Sequence, residues 1–294
     1  MDLTTIFYYS DEFGKCFEKE VSKRFLSEGQ AKRDRRMRLT LGEVMTIMIY
    51  YHYSGYRTFK DYYLKSENML RAAFPLLVSY TRFVELKAKA MMPMALFLRL
   101  SGLGACTGIS FMDSFCLKAC HIKREHSHKV LKHAAKKGKT TVGWFYGLKV
   151  HLAINHKGEI IDFYLTSGNI VDNNRDVIKR MSTKLFGKVY ADKGYLLSPD
   201  LIELLIKKGI QFITKVRKNM KNRLMLLEDR LILSKRAIIE SAIALLKQEF
   251  SIEHTRHRSF TAFLAHICSA LMAYAFRLKK PSLSLNPNVL AYTA

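Results

Sequence analysis

The sequence predicts an α/β protein in which an all-α N-terminal region precedes a domain built on a mixed β-sheet. Over residues 10–100, apolar side chains recur at steps of three and four, as they do in amphipathic helices. Glycines interrupt this period over residues 101–108, and beyond them strand-like segments alternate with helix-like ones. We therefore predict a helical region over residues 1–105, an α/β domain over residues 106–279 and a tail over residues 280–294.

The clearest helix of the first region lies just after residue 40. Its apolar face is formed by Leu41, Val44, Met45 and Met48, and Thr40 is placed to cap its N-terminus. A second amphipathic run covers residues 80–100, and most of the aromatic side chains between the two runs are expected in the core. A helix-turn-helix motif is an open alternative for this region. The sequence has no spacing that is diagnostic of one.

The second region is predicted to contain strands and helices in an order typical of a ribonuclease-H-like mixed sheet. In such a sheet the first three strands are antiparallel and the next two lie parallel to the first. A flavodoxin-like doubly wound sheet is the competing topology, and a hairpin around Asn155–Gly158 argues against it. The predicted strands cover residues 109–117, 144–155, 159–166, 188–192 and 211–216. The predicted helices cover residues 172–184 with Asp172 as cap, a segment beginning at Ser198 and Pro199, residues 231–250 and residues 260–278.

The charge balance predicts a polyanionic partner. The 294-residue chain has 49 Lys and Arg against 25 Asp and Glu, a formal net charge of +24. Nucleic acid is the most common partner of such a protein. The first residues do not resemble a signal peptide, the apolar stretches are shorter than a membrane span, and the five cysteines are irregularly spaced. We therefore expect a cytoplasmic, nucleoid-associated protein.

Three carboxylates stand out as candidates for chemistry. Asp113 lies in the middle of an apolar strand, where a charge is costly unless it is paired or bound to a cation. Asp192 ends a short strand, at the edge where open α/β sheets bind ligands, although an Asp before a glycine is also common in turns. Glu240 shares one helix stripe with Arg236 and Lys247, which alone is equally consistent with a solvent-exposed ion pair.

Together these residues resemble the DDE transposases of bacterial insertion sequences, in particular the insertion sequence family numbered 982. The resemblance covers nearly the whole chain and is carried by F-M-D-S-F at Asp113, A-D-K-G-Y at Asp192 and R-x-x-x-E-x-x-x-x-x-x-K at Glu240. Further matching blocks are Y-Y-S-D-E-F, E-V-M-T-I-M-I-Y-Y-H, S-F-C-L-K-A-C-H-I-K-R-E, G-W-F-Y-G-L-K-V-H-L and H-T-R-H-R-S. One position departs from the wider signature, because Leu233 stands where related families have a Tyr that contacts phosphate.

The resemblance implies an enzyme that cuts DNA at the ends of a mobile element and joins the strands to target DNA. It implies that Asp113, Asp192 and Glu240 are catalytic and hold Mg²⁺, with Mn²⁺ as a substitute. Such a site suits two-metal phosphodiester chemistry, and oxygen ligands suit Mg²⁺ better than Zn²⁺. Arg236 and Lys247 are implied to hold the DNA end. The implied partners are terminal inverted repeats, target DNA and further copies of the chain in a synaptic complex.

Basic segments outside the three carboxylates are predicted to contact the DNA backbone. Residues 120–140, here called the basic segment, hold seven Lys or Arg and four His against a single acid, Glu125. A second cluster covers residues 217–223, and a third follows the predicted 231–250 helix, where phosphate binding and helix capping are equal alternatives. The predicted contacts are Lys123, Arg124, Lys129, Lys136, Lys137, His254, Arg256 and Arg258.

The sequence is also consistent with several alternatives. Zinc is a second interpretation of Cys116, Cys120 and His121, although no paired C-x-x-C motif accompanies them. A hydrolytic nuclease or resolvase of the same fold, or a DNA-binding regulator without catalysis, would share much of the pattern. Trp144 is expected in the core. Asp162 and Asp172 are interpreted as structural carboxylates.

Overall fold

The protein is a mixed α/β chain with a helical N-terminus, as the sequence predicts. The computed structural model describes residues 1–27, 38–215, 225–253 and 256–284. Its contacts divide the chain into a helical unit, Met1–Gly102 with Leu246–Leu278, and a sheet unit, Leu103–Leu245 with residues 279–284. Within the described ranges, no helix has both the length and the apolar character that crossing a membrane requires.

The helical unit is built from helices that bury apolar faces against one another. The bounds are α1 Leu3–Ser27, α2 Leu41–Tyr50, α3 Phe59–Lys65, α4 Glu67–Ala73, α5 Tyr80–Lys89, α6 Met91–Phe97 and α11 Phe260–Phe276. Thr40 caps α2 as predicted, because its hydroxyl accepts from the Glu43 backbone N–H while the Glu43 carboxylate accepts from the Thr40 backbone N–H. Helix α11 is apolar on almost every side and mostly buried, which makes it the centre of this unit.

The sheet unit contains a six-stranded mixed sheet. The strands are β1 Ile109–Cys120, β2 Lys136–Thr140, β3 Gly143–Asn155, β4 Ile160–Ser167, β5 Gly187–Ala191 and β6 Ile210–Thr214. Their order is β2-β3-β1-β5-β6, with β4 also paired to β3. Strand β3 is antiparallel to β1, β2 and β4, whereas β5 lies parallel to both β1 and β6. The antiparallel pairs exclude a doubly wound parallel sheet.

Helices cover the sheet on two sides. Helices α7 Arg175–Met181 and α8 Pro199–Lys207 pack their apolar residues against Met112, Val189 and Ala191. On the other side, helix α9 Leu227–Ser234 places the buried Asp229 carboxylate 2.8 Å from both the Lys188 ammonium and the Tyr190 hydroxyl. Because strand residues alternate between faces, this arrangement separates the neighbours Met112 and Asp113 onto opposite sides of β1.

The predicted continuous helix over residues 231–250 is wrong. The structure has α9 and then α10 Ala237–Gln248, with a turn at Lys235 and Arg236 between them. The backbone N–H groups of both turn residues donate to carbonyls three residues earlier, Lys235 to Ile232 and Arg236 to Leu233. These tighter hydrogen bonds end the first helix and reorient the second.

The basic segment contains regular structure: β1 continues to Cys120, a 3₁₀ helix covers Ile122–Ser127, and β2 pairs with β3. One local prediction is also corrected. Asp172 does not cap a helix; α7 begins three residues later, and the Asn174 side chain accepts from the backbone N–H of Asp176 and Val177.

Candidate active site

The strand register places two of the three predicted carboxylates side by side. The parallel pairing of β1 and β5 ends at Met112 opposite Ala191. Asp113 follows Met112 and Asp192 follows Ala191, so the two carboxylates are neighbours at the carboxyl end of β5. Asp113 is still held in the sheet by its antiparallel pairing with Leu152 of β3, whereas Asp192 begins the turn that follows β5. This is the edge of the sheet where ligands bind in open α/β folds.

The turn between α9 and α10 brings the third carboxylate to the same place. Arg236 occupies this turn, and Glu240 follows one helical turn later in α10. The guanidinium of Arg236 lies 3.1 Å from an Asp113 oxygen, 2.7 Å from a Glu240 oxygen and 3.7 Å from an Asp192 oxygen. Three carboxylates that are far apart in the sequence therefore surround one cation.

The charge at this site is partly shielded from water. The side chain of Asp113 is 22% exposed, against 41% for Asp192 and 57% for Glu240. Burial raises the pKa of Asp113 to about 6, although the Ser114 backbone N–H and the Arg236 guanidinium both favour its ionised form. The neighbouring carboxylates of Asp192 and Asp172 contribute to this raised pKa. Positive charge at this position therefore stabilises the ionised site.

A polar network lies behind Asp113. Asp172 accepts hydrogen bonds from the Ser114 hydroxyl at 2.6 Å and from the Lys149 ammonium at 3.0 Å. Lys149 is buried and also donates to the carbonyl of Ile170. Asp172 thus neutralises the buried Lys149 beside the site. The sequence around Asp172 does not indicate this pairing. Asp162 is buried elsewhere in the sheet unit and pairs with Arg180 at 3.0 Å.

The donor set of the site suits a hard divalent cation. Three carboxylates offer oxygen ligands, and the burial of Asp113 favours a bound positive charge. Across the described ranges, no three or more His, Cys, Asp or Glu side chains form a group spaced to hold a metal ion. This holds for Cys116, Cys120 and His121, and also for the three carboxylates as they are arranged around Arg236. In this structure the Arg236 guanidinium supplies the positive charge between the carboxylates.

The structure places most of the predicted DNA contacts on the surface. In the sheet unit, Lys123 and Arg124 lie in the 3₁₀ helix, Lys129 follows it, and Lys136 and Lys137 lie on β2; all five are exposed. In the helical unit, Arg256 and Arg258 are exposed, whereas Lys247 pairs with Glu253 at 2.7 Å. His254 and the basic cluster 217–223 lie outside the described residues.

Trp144 is not in the core, contrary to the prediction. Its side chain is 58% exposed. The pairing of β1 with β3 ends at Tyr146, so Trp144 lies beyond the part of β3 that β1 covers. Among the strands that the structure describes, Trp144 pairs with β2 alone. The sequence pattern of β3 could not show where β1 stops.

Comparison with known protein families decides the assignment of the sheet unit. The family described as Transposase DDE domain matches residues 103–260, which is more than half of the chain. The chain belongs to this family of DDE transposases. A comparison with curated proteins gave no match. The DDE domain begins just before β1 and includes Asp113, Asp192, Arg236 and Glu240, so the carboxylates that surround the guanidinium all belong to the matched region.

Sequence reasoning missed the position of Arg236 within the DDE domain. Its four-residue spacing from Glu240 was visible, but the contacts with Asp113 and Asp192 depend on the turn that separates α9 from α10. Leu233, which stands where related families have a Tyr, is buried. A direct phosphate contact at that position is therefore not available in this DDE transposase.

Proposed function

We propose that the protein is a transposase that cleaves DNA at the ends of a mobile element and joins the freed strands to target DNA. The observation that carries this proposal is the convergence of Asp113, Asp192 and Glu240 within a DDE domain. The sheet order, with antiparallel β1, β3 and β4 followed by parallel β5 and β6, supports a ribonuclease-H-like fold. The sequence blocks quoted above support membership of the insertion sequence family numbered 982.

In this proposal Asp113, Asp192 and Glu240 hold two divalent ions, Mg²⁺ or Mn²⁺. When bound, these ions supply Lewis acidity for phosphodiester cleavage and strand joining. Asp113 is fixed by the sheet and by the Ser114 N–H, whereas Asp192 and Glu240 are more exposed and can adjust to a ligand. Arg236 balances the three negative charges when no divalent ion is present, and its guanidinium suits a DNA phosphate once the carboxylates are otherwise neutralised.

DNA is the proposed partner of both units. The exposed cations Lys123, Arg124, Lys129, Lys136 and Lys137 lie on the chain that follows β1, so they belong to the same unit as the carboxylates. We assign recognition of the element's terminal inverted repeats to the helical residues 1–105, with Lys247, His254, Arg256 and Arg258 as further backbone contacts. Two DNA ends must be held together for joining, so the active assembly is proposed to be a homo-oligomer.

A joining assay tests this function directly. The full chain is incubated with a DNA fragment that carries the element's end, a supercoiled target plasmid, and either Mg²⁺ or EDTA. A transposase gives Mg²⁺-dependent cleavage at the end and covalent joining to the plasmid. Cleavage without joining would indicate a hydrolytic nuclease or resolvase. Binding without either product would indicate a DNA-binding regulator and would contradict the proposal.

A further inference from the structure

The only tryptophan in the chain lies near the tip of the β2–β3 hairpin. The β2–β3 pairing continues to Thr140 opposite Gly143, beyond the point where β1 leaves β3. Val142 at the tip is 95% exposed and Trp144 is 58% exposed. An exposed indole is a large apolar surface, and its placement at the end of a hairpin makes it accessible to a partner.

Two lysines share this side of the hairpin with Trp144. The register sets Lys139 directly opposite Trp144 and Lys137 opposite Tyr146, so the three side chains lie on one face, here called the Trp144 face. The ammonium groups of Lys137 and Lys139 lie 5.4 Å and 5.7 Å from the centroid of the indole ring. These distances approach the limit of about 6 Å for a cation–π contact, so the contacts are weak. Lys137 also lies 3.6 Å from a Glu125 oxygen, at the long end of an ion pair, so a phosphate can compete for both amines.

The base of the hairpin is held tightly. A Cβ atom added at Gly138 would lie only 2.1 Å from the carbonyl oxygen of Gly168, and Phe145, which is opposite Gly138, is buried. This close backbone approach fixes the strand that carries both lysines. The Trp144 face is therefore an aromatic surface on a fixed strand pair, with two exposed cations at its edge.

We propose that the Trp144 face binds unpaired bases of DNA, with the indole stacked on a base and Lys137 and Lys139 on the flanking phosphates. This inference rests on the proposed function for its choice of DNA as partner. In the interior of a duplex, each base face is covered by its neighbours, whereas every unpaired nucleotide offers a free face for an aromatic side chain. A second copy of the chain fits this face poorly, because each copy has a net charge of +24 and lysines border the indole.

The single tryptophan allows the contact to be observed directly in the full-length chain. Intrinsic fluorescence is recorded while unlabelled oligodeoxythymidylate, or a blunt duplex of equal length, is added. The anisotropy of fluorescein-labelled copies of the same DNAs gives their affinities in parallel.

We expect single-stranded DNA to quench the Trp144 emission strongly and the duplex to quench it little. Trp144→Leu should weaken single-strand binding by roughly tenfold or more, Trp144→Tyr should restore most of the loss, and duplex affinity should change less than about twofold.

Each other outcome contradicts the inference. An unquenched emission despite bound single-stranded DNA, or an equal loss of single-strand and duplex affinity in Trp144→Leu, would remove the stacking role. A shift in emission with protein concentration in the absence of DNA would assign the face to a second copy. Failure to bind single-stranded DNA while the duplex still binds overturns this inference alone. Failure to bind either DNA contradicts the proposed function as well.

Discussion

At the scale of single residues, Arg236 is the link between the three carboxylates. It contacts Asp113, Asp192 and Glu240, and its own side chain is only 16% exposed. Removing one partner of a half-buried charge cluster leaves like charges close together, which costs more than the loss of an exposed ion pair. The positive charge of Arg236 therefore offsets the repulsion between the carboxylates when no divalent ion is bound.

We predict that Arg236→Gln destabilises the protein in EDTA and that Mg²⁺ reverses most of the loss. The expected loss in the free energy of unfolding is about 1–2 kcal/mol, because water screens the more exposed Asp192 and Glu240. Melting temperatures in EDTA and in Mg²⁺ measure both effects. Arg175→Gln is the control, since its pairing with Asp200 is exposed and Mg²⁺ should not affect that variant differently from the natural chain. An equal Mg²⁺ response in the natural chain and in Arg236→Gln would show that Arg236 does not balance the site.

A second residue, His52, makes the helical unit sensitive to acid. Its ring is buried, with Nδ1–H donated to the Phe250 carbonyl at 2.6 Å and Nε2 lying 3.0 Å from the Ser269 hydroxyl. Burial lowers the pKa of His52 to about 3, and the nearby Lys87 ammonium contributes to this lowering. The folded chain therefore keeps this ring neutral at pH values where the unfolded chain, with a pKa of 6.5, takes up a proton.

We predict from this lowered pKa that the neutral His52 ring makes its full contribution to stability above pH 6.5. That contribution is lost as the pH falls from 6.5 toward 3. The folded state binds fewer protons than the unfolded state throughout that range, so the free energy of unfolding decreases with acid. His52→Gln should be less stable than the natural chain at pH 7 but should lose less on acidification. Urea unfolding at several pH values measures the slope, and the exposed His121→Gln should leave it unchanged. An unaltered slope in His52→Gln would contradict the assignment.

Among the secondary-structure elements, the strands that carry Asp113 and Asp192 could be predicted from the sequence. The turn that separates α9 from α10 could not. The sequence singles out Asp113 as a charge within an apolar strand and Asp192 as the end of a short strand. The strand register then places the two residues next to each other. The convergence with Glu240 needs the turn at Arg236, and residues 231–250 look like one apolar-faced helix because local periodicity continues through that turn. Tertiary contacts decide such a break. The same limit explains Trp144, whose exposure depends on where β1 ends rather than on its own strand.

The β2–β3 hairpin gives a prediction at this scale. Gly138→Ala would bring a methyl group to 2.1 Å from the Gly168 carbonyl oxygen, so one of the two backbones must move. We expect a loss of roughly 1–3 kcal/mol in the free energy of unfolding, as for other overpacked positions. Gly194→Ala is the matched control, because nothing lies within 4 Å of its added Cβ. Equal stability of the two variants in urea unfolding would show that the hairpin base is not tightly packed.

At the scale of the whole molecule, the net charge of +24 determines how the chain meets DNA. Exposed cations occur in both units, among them Lys123, Arg124, Arg256 and Arg258. If binding neutralises about 6–10 phosphates, the affinity should fall by roughly 10³- to 10⁵-fold between about 50 and 200 mM salt. Fluorescence anisotropy at several salt concentrations gives the slope. A flat response would rule out backbone contacts as the main source of affinity.

Asp113, Asp192 and Glu240 are proposed to carry out the chemistry rather than to stabilise the fold. Mg²⁺-dependent cleavage of the element's end by Glu240→Gln, measured beside Glu203→Gln, separates these two roles. Both glutamates are exposed on helices and pair with a basic residue four positions away, so the second variant removes a comparable exposed carboxylate outside the site. Glu240→Gln should retain its melting temperature and DNA binding and lose cleavage, as should Asp113→Asn and Asp192→Asn, whereas Glu203→Gln should cleave normally. A Glu240→Gln protein that still cleaves, or that loses cleavage only because it no longer folds, would contradict the account.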